Sequence, residues 1–228
     1  MRTLVIIPAH NEEESIMNTI NDLKVVIKQH PEEEVGIVVV NDGSKDRTQQ
    51  ILEENNVDHI NHIVNMGVGA SIKTGIIYAQ KLNYDNVTQF DADGQHNGEY
   101  IFDLIKGIKD GNDIVIGSRF VGNKKPFSMR MMGSRLLSFF ISIKSLGKLK
   151  ITDPTSGQRM MNKKVQDTYL DDASCSEPAF AIKYFQKGFK VKEIPVTMNE
   201  RVAGESHFNF INSVKFMLEQ SMAILFGF

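Results

Sequence analysis

Cysteine is nearly absent from this chain of 228 residues, where Cys175 stands alone. No internal disulfide can form, and a cysteine-based zinc site has only one thiol to draw on. Long apolar runs are also missing: none reaches the roughly 18 residues of a membrane-spanning helix. The N-terminus opens directly into a strand-like run instead of a signal peptide, which makes the cytoplasm the expected address. Net charge is −2, so no global basicity calls for a nucleic-acid partner. Acidic residues are wholly absent from 114 to 152, while Arg119, Lys124, Lys125, Arg130, Arg135, Lys144, Lys148 and Lys150 fall inside. Such a block is either a solvated face or a surface for anionic ligands and anionic membranes. No dinucleotide fingerprint follows the first strand, because Pro8-Ala9-His10-Asn11 occupies that turn. A P-loop fails as well, since Ile72 replaces the glycine before Lys73.

Apolar residues make up 41% and charged residues 24%, which is the balance of a soluble globular protein with a core of ordinary size. Residues 3–7, 35–40, 59–64, 87–90, 113–117 and 190–198 read as strands, several of them continuous apolar runs of the kind buried on both faces. Helices are predicted from Asn11 to about Gln29, from about Asp46, from Gly69 to Leu82, over 99–109, 131–149 and 178–187, and over the tail 208–228. Pro178 falls in a first helical turn, where proline is tolerated. Strand–helix alternation predicts an α/β fold with a mostly parallel sheet flanked by helices. Such sheets bind ligands at the carboxyl ends of their strands. The polar clusters at 8–12, 41–44, 65–69, 91–95 and 117–119 all lie at such ends.

The stretch Gln89-Phe90-Asp91-Ala92-Asp93-Gly94-Gln95-His96 carries the most chemistry. In an extended chain Asp91 and Asp93 project to the same side. Two carboxylates held that close repel unless a cation lies between them or one is protonated. Oxygen ligands suit Mg²⁺ or Mn²⁺, with Gln95 adding a neutral carbonyl oxygen, and such ions leave positions for phosphate oxygens. The bland alternative is a solvated acidic turn with Gly94 as its positive-φ residue.

Seven segments in order, IPAHNEE, VVNDGSKDRT, NMGVGASIKTG, FDADGQH, GSRF, DPTSGQRMMN and EIPVTMNERVAGES, span nearly the whole chain. Together they resemble the family-2 inverting glycosyltransferases of the GT-A fold, a Rossmann-like architecture, and within it the dolichyl- and polyprenyl-phosphate sugar synthases. The resemblance implies a nucleotide-contacting set of Pro8, His10, Glu12, Asp42, Gly43, Asp91 and Ala92. The family usually has an aromatic residue in place of His10, and often a second Asp where Asn41 stands. It implies a metal and diphosphate site at Asp91, Asp93 and Gln95, with Arg119 near the phosphates. Arg130 and Ser134, one helical turn apart, match the pair that holds the lipid phosphate, and Arg201 and Ser206 fall on a loop that closes on the phosphates. Asp153 is either a base or a loop acid. Glu177 is either a base, as in members with non-lipid acceptors, or an acid in a helix's first turn. His59, His62 and His207 read as surface or satisfied core histidines, and Asn65 and Gly67 as turn chemistry.

The expected reaction moves a sugar with inversion from a nucleotide-sugar donor to a polyprenyl phosphate, at the inner face of the membrane. Transfer to a saccharide hydroxyl in cell-surface polysaccharide synthesis, or a non-catalytic nucleotide-sugar binding module, are the alternatives. Residues 1–207 would form the catalytic domain. The apolar tail 208–228 would lie on a membrane or a membrane partner protein, pack in a homo-oligomer, or complete the core.

Overall fold

In the computed structural model, the described residues are 1–94, 96–123, 129–172, 177–197, 217 and 219–225, with side chains 129, 130 and 177 outside that set. Strand β1 (Arg2–Ala9) sends Leu4 and Ile6 into one hydrophobic core and Val5 and Ile7 into another. Successive side chains of a strand face opposite ways, so burial on both faces requires the unbroken apolar run. Strand β2 (Glu34–Asp42) does the same with Val38 and Val40 against Val39.

Among the described residues, seven strands form one sheet in the order β3-β2-β1-β4-β6-β5-β7. The remaining strands are β3 (His59–His62), β4 (Asn86–Gln89), β5 (Ile114–Ser118), β6 (Arg159–Asn162) and β7 (Val191–Pro195). Among the described residues only β6 runs antiparallel to its neighbours, β4 and β5. Helices α1 (Ile16–Gln29), α2 (Thr48–Glu54) and α4 (Tyr100–Lys109) cover one face through Ile20, Leu52 and Leu104. Helices α3 (Val68–Lys81), α5 (Met129–Lys144), α6 (Lys163–Asp171) and α7 (Glu177–Gln186) cover the other through Ile76, Leu137, Tyr169 and Phe180. The α/β reading with a mostly parallel sheet is borne out, and Pro178 does fall in the first turn of α7.

Four local differences have physical reasons. Helix α1 starts at Ile16 rather than near Asn11, because Asn11 takes a left-handed φ of 58°. Its amide oxygen accepts from Lys45 N–H at 2.8 Å and its own N–H donates to Ser44 Oγ at 3.0 Å, which binds the loop after β1 to the loop after β2. Strand β3 stops at His62, where β2 ends with Asp42 opposite, and Ile63 beyond it is 98% exposed. Strand β6 and helix α6 have no counterpart in the sequence reading. Arg159-Met160-Met161-Asn162 carries no β-branched residue, and its strand conformation comes from pairing between β4 and β5, with Met160 in one core and Met161 in the other. Finally, α5 ends at Lys144, and the chain turns through Leu146 (φ 53°) and Gly147 (φ 75°) before Leu149 returns to the core.

The tail prediction falls mostly outside the described residues. Residues 219–225 are helical, with Ser221 and Ile224 buried, and Lys144 Nζ of α5 donates to the Leu225 carbonyl at 2.6 Å. Ile224 belongs to the same hydrophobic core as Leu137 and Ile141 of α5.

Candidate active site

The carboxyl ends of β1 and β2 bring His10 to Asp42, and the end of β3 brings His62. His10 Nδ1 lies 2.8 Å from the Asp42 carbonyl oxygen. Asp42 is 4% exposed, and its carboxylate points toward the loop after β3. Its Oδ1 accepts from His62 Nδ1 at 2.7 Å and from Met66 N–H at 2.9 Å, and its Oδ2 accepts from Gly67 N–H at 2.7 Å. The other ring nitrogen of His62, Nε2, lies 2.9 Å from Thr74 Oγ1. Burial alone would raise the Asp42 pKa, but the bonds from Met66, His62 and Gly67 outweigh it and hold the carboxyl below the usual aspartate range. Gly43, at φ 65°, lets this loop come close, since a Cβ there would lie 2.5 Å from the Val64 carbonyl carbon. Glu12 is committed locally, with Ser15 Oγ donating to its Oε2 at 2.6 Å. Pro8 is the penultimate residue of β1, half-buried beside Ala9.

Asp91 follows the end of β4 with its side chain 40% exposed. Gln89 Nε2 donates to its Oδ1 at 3.1 Å, and His96 Nε2 lies 3.3 Å from its Oδ2. The Asp91 N–H donates to His96 Nδ1 at 3.2 Å, which leaves Nε2 to carry the proton toward the carboxylate. Thr19 of α1 anchors the turn by donating to the Ala92 carbonyl at 2.9 Å, and Gly94 has the positive φ, 74°, expected of it. Asp93 is half-buried in the same turn, and Gln95 lies outside the described residues. Gly157 faces Asp91: a Cβ there would stand 3.2 Å from Gln89 Nε2 and 3.5 Å from Asp91 Oδ2. A half-open carboxylate with space kept clear above it, and a second acid two residues on, fits a hard divalent ion. No cluster of three His, Cys, Asp or Glu side chains suited to an ion forms among the described residues, so water and ligand oxygens would complete the shell.

Arg119 leaves the end of β5 and meets Asp153. Its Nε donates to Asp153 Oδ2 at 2.6 Å and its Nη2 to Oδ1 at 2.9 Å, while its backbone N–H lies 3.3 Å from Oδ2. The Asp153 side chain is fully buried, and a quarter of Arg119 remains exposed. Hydrogen bonding to Asp153 raises the Arg119 pKa against the opposing effect of burial, so the guanidinium stays charged. Thr155 Oγ1 adds a bond to Asp153 Oδ1 at 3.2 Å. The loop from Asp153 to Gln158 thus grips Arg119 at one end and lays Gly157 over Asp91 at the other. Ser156 Oγ bonds to the Gly117 carbonyl at 2.5 Å, and Gly117 N–H bonds to the Gln158 carbonyl at 2.9 Å, which fixes the loop between them.

The expected acceptor residues are only partly visible. Ser134 is buried on the inner face of α5, in the company of Met131, Leu137 and Ile141. The side chains of Arg130 and Glu177, and all of Arg201, Ser206 and His207, lie outside the described residues. Three residues at the site were not assigned there from sequence. His62 reads as a surface or satisfied core histidine; it is half-buried with both ring nitrogens satisfied, and its partner Asp42, twenty residues away, is visible only through strand register. His96 sat in the acidic motif, five residues after Asp91, and that proximity was the available signal. Gly157 carried none.

Residues 4–170 match the model described as Glycosyl transferase family 2. The chain belongs to that family. Its enzymes are glycosyltransferases, and this glycosyltransferase has relatives with named acceptors. It is 32% identical to the UDP-N-acetylglucosamine–dolichyl-phosphate N-acetylglucosaminyltransferase of Methanococcus voltae, over 84% of this chain and 83% of that one. It is 30% identical to the polyprenol monophosphomannose synthase of Mycolicibacterium smegmatis, over 92% and 82%. Among solved structures, glucosyl-3-phosphoglycerate synthase of Mycobacterium tuberculosis in complex with phosphoglyceric acid matches with a TM-score of 0.68 at 17% identity, covering 98% of this chain and 78% of that one. A complex of the same enzyme with Mn²⁺ and uridine diphosphate matches with a TM-score of 0.65 at 16% identity, over 98% and 77%. These two matches establish the GT-A architecture of the glycosyltransferase. Among the described residues no helix is long and apolar enough to cross a membrane.

Proposed function

We propose that this glycosyltransferase moves a sugar, with inversion, from a nucleoside-diphosphate sugar to a polyprenyl phosphate. The outer face of α5 carries the acceptor assignment. Met132, Leu136, Phe139 and Ile143 repeat at spacings of four, three and four, which is one helical face, and all are exposed. Exposed Arg135, Lys148 and Lys150 accompany them, with no acidic residue from 114 to 152. An apolar strip beside a basic stretch suits an amphiphile with an anionic head. A free saccharide offers no partner for that strip. The named relatives that act on dolichyl phosphate or make polyprenol monophosphomannose support the same reading.

On the donor side, His10, Asp42 and Gly43 line the end for the base, with Pro8, Glu12 and Ala92 shaping the walls. Asp91 and Asp93, with Gln95, would hold Mg²⁺ or Mn²⁺, which when bound neutralises the departing diphosphate. The enzyme of similar fold crystallised with Mn²⁺ and uridine diphosphate supports divalent-metal use. Arg119 adds charge-assisted hydrogen bonds to the same phosphates through its exposed quarter, and Arg201 would add a second positive charge. Asp153 has both oxygens engaged by Arg119, so its part is to aim the guanidinium. A phosphate acceptor is already anionic and needs no strong base. Arg130 would meet the lipid phosphate from α5, and buried Ser134 would be reached from between α5 and the sheet. The work is done at the cytoplasmic face of the membrane.

The test incubates the purified protein in detergent with a panel of UDP- and GDP-sugars, Mg²⁺ or Mn²⁺, and polyprenyl phosphate. Release of nucleoside diphosphate coupled to a glycolipid, abolished by EDTA, is expected. Full activity in EDTA would refute the metal, and transfer only to soluble glycans would refute the lipid phosphate.

A further inference from the structure

Glu193 lies outside every set of residues assigned above, yet both its carboxylate oxygens are spent on the segment that holds Arg119. It stands on β7 opposite Ile116 of β5. Its Oε1 accepts from Asp153 N–H at 2.9 Å, and its Oε2 accepts from Thr152 N–H at 2.7 Å and Thr152 Oγ1 at 2.8 Å. The single hydroxyl proton of Thr152 goes to that carboxylate, so Thr152 Oγ1 accepts from Ser118 Oγ at 2.8 Å. Ser118 Oγ then accepts from Phe120 N–H at 3.3 Å. One directed chain therefore runs from Phe120 through Ser118 and Thr152 to Glu193, and it ties down the residues on both sides of Arg119. The same carboxylate holds the backbone of Asp153, the partner of that arginine.

We infer that Glu193 is a positioning residue: it fixes Arg119 and Asp153 relative to each other so that the guanidinium faces the donor's diphosphate. The inference rests on the proposed role of Arg119 toward that diphosphate. All three groups facing Glu193 are donors, and two are backbone N–H groups that cannot turn round. A carboxylate satisfies them together, whereas the amide of a glutamine must aim its NH₂ at one of them.

The experiment measures binding of UDP and GDP, and of uridine and guanosine by displacement, to the full chain with Mg²⁺ present. Wild type is compared with Glu193→Gln, Arg119→Ala and the double variant. Glu193→Gln is expected to weaken diphosphate binding by about tenfold or more, the scale of a lost hydrogen bond to a charged group. Nucleoside binding should stay within about twofold, and the double variant should bind no more weakly than Arg119→Ala alone, because the two residues act in series. Equal loss for nucleoside and diphosphate would mean general damage and would overturn the inference, as would losses that add in the double variant. If Arg119→Ala leaves diphosphate binding intact, the reading of Arg119 fails instead. Should Glu193→Gln not fold, Thr152→Val removes the hydroxyl link while keeping both backbone donors. A smaller loss of the same selectivity is then expected, and none would overturn the inference.

Discussion

Replacing Asp42 with asparagine isolates the buried carboxylate that ties the loop after β3 to the end of β2, at the proposed nucleotide end of the site. The shape is kept and one oxygen survives. If that oxygen takes the place of Oδ1, it still accepts from His62 and Met66, but the new NH₂ then faces the Gly67 N–H across 2.7 Å. One bond to a charged acceptor is lost and two donors are opposed in a site only 4% exposed. At about 1.5–3 kcal/mol for a hydrogen bond to a charged group, a destabilisation of about 2–3 kcal/mol is expected near neutral pH. In a chain of this size that corresponds to a fall in Tm of roughly 5–10 °C. The pH dependence follows from the sign of the shift. The folded pKa of Asp42 lies below the ordinary value, so its stabilisation is complete above the unfolded pKa near 4 and is lost as pH falls through the folded value. Urea unfolding of both proteins between pH 7 and pH 3 should therefore show a wide gap at neutrality that narrows in acid. A gap that is constant with pH, or a Tm unchanged within about a degree at pH 7, would refute the placement of the carboxylate.

Three further outcomes test the rest of the site. Gly157→Ala puts a methyl group 3.2 Å from the Gln89 amide and 3.5 Å from Asp91 Oδ2, and displacement of that carboxylate should cost on the order of tenfold or more in kcat/KM with little change in Tm; normal turnover and metal affinity would show the space is not needed. Phe139→Glu on the exposed face of α5 should raise the apparent KM for polyprenyl phosphate while leaving that for the nucleotide sugar unchanged, and equal rises would count against the acceptor surface. Asp153→Asn removes half of a bidentate pair from a fully buried position, so a loss of about 2–4 kcal/mol in urea unfolding is expected; a loss under about 0.5 kcal/mol would mean the pair is not formed in solution.

The sequence alone determined the parallel core of the sheet, because strands buried on both faces must be apolar without interruption, and β1 and β2 are. It also pointed to one edge for the candidate site, since every polar cluster follows a strand and a parallel sheet puts those ends together. Asp91, Asp93 and Arg119 were legible as candidates for that reason. Strand β6 was not, because Arg159-Met160-Met161-Asn162 has neither alternation nor β-branching, and only β4 and β5 on either side make it a strand. The partners of the functional groups were equally hidden. His62 reaches Asp42 because the register of two strands sets them opposite each other. Asp153 lies 34 positions from Arg119 and Glu193 a further 40 beyond Asp153, and Gly157 meets Asp91 across a loop. Local sequence encodes which residues carry charge and where a strand ends. Which carboxylate is open to a ligand, and which is consumed in holding another residue still, depends on contacts between segments far apart in the chain, and those exist only once the sheet has formed.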